Sequence, residues 1–386
     1  MLKSTDSAEP DSPVCPERGA LLDEVRRLAA PLLEAPPFTL NGQHKSALFT
    51  KALRALSRLH AYSCPQYRRI LHSEGVDPDT LSETEQLPFL PTALFKRLKL
   101  CSVPEAELFK TLTSSGTTSQ LRSQIFLDKE SAQLQQRALI RTVSSFIGPA
   151  RLPLLILDCP SVLKNRENFA ARTAGVLGFS LFGRERCFAL NDDMQLQAEA
   201  VESFLSRHLG ERVLLFGFTY MVWQYLVEAL RRLGRTLPLE RGILIHGGGW
   251  KSLRAHAVDE QAFKAGVLER TGISEVHDYY GMAEQSGTVY VECEHGHLHV
   301  PDFAQIFIRD PHDFGLCGRG ERGIVEVCSL LPRSYPGHCL LTEDEGVLLG
   351  EDDCPCGRLG RYFKICGRLP QSELRGCSDT YAATAP

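Results

Sequence analysis

The segment SSGTTSQ (residues 114–120) packs hydroxyl groups around one glycine. Gly116 lets the backbone turn tightly, so several N–H groups can converge on an anion. Ser114, Ser115, Thr117 and Thr118 add hydroxyl donors, and such a loop suits a polyphosphate. Read alone, it suits a polar surface turn as well. It lacks the G-x-x-x-x-G-K-[ST] spacing of a Walker loop. Four more strings follow: HGGGWK (246–251), DYYGMAEQSG (278–287), LLTEDEG (340–346) and KICGRLP (364–370). Gly247, Gly248 and Gly249 offer bare backbone against which a flat base can lie. The later strings supply Tyr280, Glu284, Thr342, Asp344 and Arg368.

A second constellation has metal-ligand types. VECEHGHLHVPDF and EDDCPCGRLG hold Cys293, His295, His297, His299, Cys354 and Cys356. C-x-C in a Pro/Gly turn makes a half-site for zinc, and Cys293 with one of the three histidines makes a second. Three thiolates and one imidazole close a tetrahedral structural site. The alternative is a set of buried thiols and solvent-exposed histidines. A third feature is the ending, QSELRGCSDTYAATAP, which places Cys377 beside Arg375. A nearby cation lowers a thiol pKa and favours the nucleophilic thiolate.

The bulk numbers bound these readings. The 386 residues suffice for one large domain or two ordinary ones. Hydrophobic residues are 43%, charged residues 23% and the formal net charge is -4, so no basic footprint for nucleic acid exists. No apolar run approaches a membrane span. The first residues, MLKSTDSAEPDSPVCPERG, have no apolar core and are expected to form a disordered arm over 1–19 rather than a signal peptide. Thirteen scattered cysteines in a long chain fit a reducing, cytoplasmic compartment, with most thiols acting as small buried hydrophobes.

The elements that must position these residues change character along the chain. Residues 20–110 carry helical spacing, interrupted by LPFLPTALFK (87–96). From 111 to 290 apolar strand runs (RLPLLILDCP, ERVLLFGF, RGILIHGGG) alternate with helical segments, which predicts an α/β fold with a largely parallel sheet. The glycines of HGGG then fall where an open sheet presents its ligand crevice. Residues 291–365 hold shorter β segments, expected to form a small antiparallel layer. The apolar LLFGFTYMVWQYL (214–226) could line a substrate tunnel through Phe218 and Met221, although such a stripe is more often core. His246, beside the glycines, could orient a substrate carboxylate or be a structural histidine.

Taken in order, the strings resemble the motifs of the adenylate-forming superfamily of acyl-CoA synthetases, adenylation domains and luciferases, over roughly residues 85–377. The resemblance implies that loop 114–118 holds ATP phosphates, that Gly247, Gly248 and Gly249 lie along the adenine, and that Tyr280 stacks on it. It implies that Glu284 binds magnesium, that Asp344 accepts bonds from the ribose hydroxyls, and that Arg368 contacts ribose or phosphate. The same residues suit carboxylate activation on elementary grounds. A carboxylate attacking an α-phosphate must overcome charge repulsion, which a cation and donors relieve. The usual T-G-D ribose string is here Thr342-Glu343-Asp344, with the aspartate kept. Zinc-binding Cys/His placements in the phenylacetate-CoA ligase branch are similar and favour His299, which precedes VPD, over His295 and His297.

FLPTALFK, SSGTTSQ and ELRGCSD resemble the acyl-protein synthetase (LuxE-like) branch. That resemblance implies a large adenylate-forming N-terminal domain (20–365), a C-terminal lid largely absent, and a short tail (366–386). It implies ATP-dependent conversion of a carboxylic acid, of the fatty-acid class, to acyl-AMP, transfer to Cys377, and delivery to a partner such as an acyl reductase. Cys366 is a weaker rival nucleophile, expected to be buried in the last strand. ATP and magnesium are the implied cofactors, with structural zinc beside them. Two other readings stay open: transfer of the acyl group to CoA or a carrier protein, and a non-catalytic subunit that regulates a reductase.

Overall fold

A computed structural model of the protein describes residues 16–113, 123–163, 171–250 and 257–369. The first helix, Pro16–Glu34, starts inside the arm expected over 1–19. Proline at the first helical position and Glu17 in the first turn both suit a helix start. The second helix, Gly42–Ser63, is capped by Asn41, whose side chain accepts from the His44 amide at 3.0 Å. Together these helices cover the back of the C-terminal strands through Phe49, Leu53 and Leu56 against Phe307, Cys328 and Leu330.

The strands are β1 (Leu90–Pro91), β2 (Leu108–Thr113), β3 (Gln124–Asp128), β4 (Leu152–Ile156), β5 (Gly183–Phe188), β6 (Leu214–Phe218) and β7 (Ile243–Gly247). They continue with β8 (Glu275–Gly281), β9 (Val289–Glu292), β10 (Leu298–His299), β11 (Ala304–Arg309), β12 (Arg322–Ser329), β13 (Cys339–Glu351) and β14 (Arg361–Arg368). One 12-stranded sheet runs β11-β12-β13-β14-β10-β9-β8-β7-β6-β4-β5, with β1 added in parallel to β13. The strands β4 to β8 pair in parallel; β8 to β14 pair antiparallel. The expected parallel and antiparallel parts are thus both present, joined edge to edge at β8–β9. Strands β2 and β3 form a separate hairpin on either side of the hydroxyl-rich loop.

The apolar runs explain why the parallel strands are central. Side chains alternate between faces. Leu155, Leu215 and Leu244 enter one core with Met221, Trp223 and Phe263, while Ile156, Phe216 and Ile245 enter the core on the opposite face with Val143 and Phe179. Strands buried on both sides read as continuous apolar runs rather than alternating ones. The helical segment after β6 is α-helical at Thr219–Met221, widens to a π turn over Val222–Val227, and returns to α at Glu228–Leu233. Among the described residues no helix is long and apolar enough to cross a membrane.

Candidate active site

The loops after β6, β7 and β8 lie along one edge of the sheet, where an open α/β fold presents its crevice. Gly247 ends β7 opposite Tyr279 of β8. A Cβ on Gly247 would sit 2.4 Å from Tyr279 Cε1 and 2.7 Å from the Tyr279 carbonyl oxygen, so the strands meet only if this residue is glycine. Gly248 holds φ +75, a left-handed conformation that side chains disfavour. Gly248 and Gly249 are exposed, which leaves a strip of bare backbone at the crevice.

Tyr280, Asp344 and Arg368 come together although 88 residues of sequence separate the first from the last. Asp344 on β13 and Arg368 on β14 are register partners. Arg368 Nε donates to Asp344 Oδ1 at 3.2 Å and its terminal nitrogen to Glu343 Oε2 at 3.1 Å. Tyr280 Oη donates to Asp344 Oδ2 at 2.8 Å. Burial, then the Asp344 charge, pushes the Tyr280 phenol far above its usual range, so it stays protonated as a donor. Thr342 Oγ1 accepts from the Asp344 amide at 3.1 Å and fixes that turn of strand. Glu343, a variation on the usual glycine, therefore carries a second acceptor for Arg368.

Glu284 stands in the short turn Ala283–Gln285 after β8. Tyr335 Oη donates to its carbonyl oxygen at 2.8 Å, and Gln285 Nε2 donates to the carbonyls of Gly337 (2.9 Å) and Val327 (3.1 Å). Burial raises the Glu284 carboxyl above the ordinary range, while Ser123 and Lys96 draw it back in part. A carboxylate held against burial beside a cleft is a fitting hard-cation ligand. Sequence reasoning did not single out Lys96 or Ser123 as neighbours of Glu284; the motif FLPTALFK contains Lys96 and was the available signal.

His246 is buried at the end of β7, with Nδ1 3.0 Å from Thr219 Oγ1 and 3.6 Å from Asp278 Oδ1. Its Nε2 is buried with no hydrogen-bond partner among the described residues. Burial, with Lys264 and His277 adding to it, lowers its pKa to about 3, so the ring is neutral. Met221 lies wholly inside the core on one sheet face. Phe218, also buried, reaches the space beside Gly248 and Gly175. The phosphate-loop residues Ser114, Ser115, Gly116, Thr117 and Thr118 lie outside the described residues, and so does Cys377. Cys366 is in the last strand as expected, but it is exposed rather than buried. On β14 the two-residue β10 pairs only with Phe363 and Tyr362, so among the described residues the end of β14 pairs with β13 alone.

Cys293, His299, Cys354 and Cys356 converge, with ligand atoms all within 4.8 Å of one another. Cys293 Sγ lies 3.9 Å from Cys354 Sγ, and Cys356 Sγ lies 3.3 Å from His299 Nε2. Bonds of about 2.3 Å to sulfur and about 2.0 Å to nitrogen in a tetrahedron demand separations close to these. The residues therefore fit zinc, which would tie the β9–β10 turn to the β13–β14 loop. His297 Nδ1 is 3.2 Å from Cys354 Sγ, but its ring stacks on Tyr362 outside the four-atom cluster.

This mixed sheet, with Gly247, Tyr280 and Asp344 near one edge, has the fold of the large domain of adenylate-forming ligases. Among solved structures it resembles an open conformation of 2-hydroxyisobutyryl-CoA ligase in complex with 2-HIB-AMP and CoA, with a TM-score of 0.66 at 18% identity over 88% of this chain and 78% of that one. Residues 23–384 match the family described as Acyl-protein synthetase, LuxE, and the chain belongs to that family. It is similar to the long-chain-fatty-acid–luciferin-component ligases of Vibrio harveyi (23% identical; 87% of this chain, 88% of the relative) and Aliivibrio fischeri (24%; 85% and 86%). The chain is thus an acyl-protein synthetase, an enzyme of the AMP-forming ligase type.

Proposed function

We propose that this enzyme activates a fatty acid with ATP and magnesium, takes the acyl group onto Cys377, and passes it to an acyl-accepting partner protein such as a reductase. The observation that carries the nucleotide half is the Tyr280–Asp344–Arg368 cluster beside the glycine strip. Tyr280 offers a flat ring for adenine, Asp344 two acceptor oxygens for ribose hydroxyls, and Arg368 a fixed cation. The names of the two bacterial relatives favour a long-chain acid. Residues 20–365 form the activating domain in this reading, and 366–386 the tail.

In the first step a carboxylate oxygen attacks the α-phosphorus. An O–P bond forms, the bond to the β-phosphate oxygen breaks, and pyrophosphate leaves. Glu284 would hold magnesium, which when bound neutralises phosphate charge. Loop 114–118 and Arg368 supply donors to the same charge. In the second step the Cys377 thiolate attacks the acyl carbon; a C–S bond forms, the C–O bond breaks and AMP leaves. The thiolate then serves as leaving group toward the acceptor, which thiols do as readily as they attack. In this reading His246, neutral in its buried site, orients the incoming carboxylate through Nε2, and Phe218 lies against the acyl chain.

The exposure of Cys366, two residues before Arg368, favours one second reading in which that thiol takes the acyl group. Intact-mass and peptide analysis after ATP and fatty acid separates them. Cys377→Ser is expected to make acyl-AMP and pyrophosphate but no hydroxylamine-labile acyl-enzyme, and Cys366→Ser to be acylated normally. The opposite pattern transfers the role to Cys366. Normal acylation of both variants removes it from either thiol.

A further inference from the structure

A cavity of about 380 Å³ lies between the helix Pro16–Glu34, the helix Lys129–Ile147 and the segment leading into β11. Its wall has two characters. Leu33, Leu134, Ala138 and Phe303 are apolar, while Arg26, Arg137 and Arg333 gather around one carboxylate, Glu130. The volume is at the small end of ligand pockets, and an apolar lining with a few convergent polar groups is what such pockets share.

The guanidinium groups are unequally paired, and Arg26 also bonds Asp23 at 2.6 Å. Arg26 takes both oxygens of Glu130, through Nε at 2.9 Å and through a second, shorter bond. Arg333 reaches the same carboxylate only at 3.5 Å. Arg333 is 6% exposed, and its Nε is buried with no hydrogen-bond partner among the described residues. Arg137 is exposed at the same place and adds a third positive charge. The other charged lining groups are Arg141, Asp302 and Glu34. Arg141 donates to the carbonyls of Glu34 (2.8 Å) and Ala35 (2.7 Å) at the end of the first helix. Asp302 is buried near Lys45, but Lys45 Nζ donates to the Val300 and Pro301 carbonyls and both Asp302 oxygens are buried with no hydrogen-bond partner among the described residues; Glu34 is exposed. A buried guanidinium left short of acceptors is costly unless another anion completes it.

We propose that this cavity binds an amphipathic oxyanion, a carboxylate or phosphate head on a short apolar body. The head bridges Arg333 and Arg137, whose planar forks match oxyanion geometry. The body lies against Leu134, Ala138 and Phe303. The site is separate from the nucleotide cleft but mechanically joined to it. Arg333 is followed by Ser334, whose hydroxyl donates to the Phe126 carbonyl at 2.8 Å, and by Tyr335, which holds the Glu284 carbonyl. Phe126 belongs to β3, the strand that follows the phosphate loop.

The test is titration calorimetry on the full chain with decyl phosphate, decanoate and inorganic phosphate. The wild type is expected to bind decyl phosphate more weakly as salt rises, and Arg137→Gln, Arg333→Gln and Ala138→Trp to weaken it at least tenfold. Asp344→Asn, a change in the cleft, is expected to leave that binding unaltered. Decanoate beside decyl phosphate distinguishes a carboxylate from a phosphate head by which arm the variants weaken. Arg333 and Ala138 are buried, but Arg137→Gln changes an exposed side chain and tests the site without threatening the fold. Wild-type affinity in both Arg137→Gln and Ala138→Trp overturns the proposal. Loss of decyl phosphate binding only in Asp344→Asn also overturns it, as does inorganic phosphate binding as tightly as the decyl ester.

Discussion

Asp344 and Arg368 face each other across the β13–β14 ladder, Nε to Oδ1 at 3.2 Å, with Tyr280 holding the other aspartate oxygen at 2.8 Å. The aspartate is therefore aimed before any nucleotide arrives. Asp344→Asn keeps the shape and removes the charge. Loss of a charge-assisted bond costs about 1.5–3 kcal/mol, roughly a tenfold to hundredfold change. The expected outcome is an ATP KM raised by that factor in carboxylate-dependent pyrophosphate exchange, with kcat changed less. Glu343→Gln leaves Arg368 its Asp344 partner and should cost much less. Equal losses in the two variants would deny Asp344 its ribose role.

The glycine strip makes an ordered prediction. Gly247→Ala forces a methyl to within 2.4 Å of the Tyr279 ring and 2.7 Å of its carbonyl. Overpacking of this kind costs about 1–3 kcal/mol. Gly248→Ala meets Phe218 at 3.2 Å and must keep φ +75, a strain of about 1–2 kcal/mol. Gly249→Ala meets nothing within 4 Å and should change stability by about 0.5 kcal/mol or less. Denaturant unfolding should rank the variants in that order. A destabilised Gly249→Ala would refute the packing argument.

Glu284 provides a pH test with a definite sign. Burial raises its carboxyl in the folded protein. The folded state then holds this proton more tightly than the unfolded state, so the contribution favours folding at low pH and is lost as pH rises through the raised value. Glu284→Gln removes the titration. Without nucleotide, its Tm should match the wild type near pH 4 and exceed it at pH 8, while adenylation is lost. A wild type more stable than the variant at pH 8 would show the carboxyl to be lowered instead.

The legible parts were those where rare residue types occur at tight spacing. Cys354-Pro-Cys356 and the Cys293–His299 stretch have metal-ligand types at close spacing, and the structure gathers those four ligand atoms. The strands β4, β6 and β7 announced themselves as unbroken apolar runs because both their faces are covered. What stayed hidden depends on register and on distant packing. Glu343 meets Arg368 only because β13 and β14 pair in one register. Arg333 meets Glu130 across 203 residues without a motif at either end. Cys366, which is exposed, falls where the β13–β14 register shifts between Glu345 and Gly346, a bulge that composition does not reveal.

A zinc ion held by Cys293, His299, Cys354 and Cys356 would tie two segments of the chain together. Cys293 directly follows β9 and His299 ends β10, while the β13–β14 loop carries Cys354 and Cys356; β10 contributes two residues to the ladder. Purified protein should contain about one equivalent of zinc, the stoichiometry of one closed four-ligand site. Structural zinc contributes folding free energy directly, at about 10–16 kcal/mol in zinc-finger peptides. Here the large sheet already holds the ligands near one another, so chelation should lower the Tm without unfolding the domain at 25 °C. Cys356→Ser and His299→Ala should each lose the metal, measured by mass spectrometry of the bound element. His297→Ala should retain it, because that ring packs on Tyr362 at 4.7 Å rather than in the cluster. Zinc kept by His299→Ala and lost by His297→Ala would reassign the fourth ligand. A Tm insensitive to chelation of bound zinc would remove the structural role.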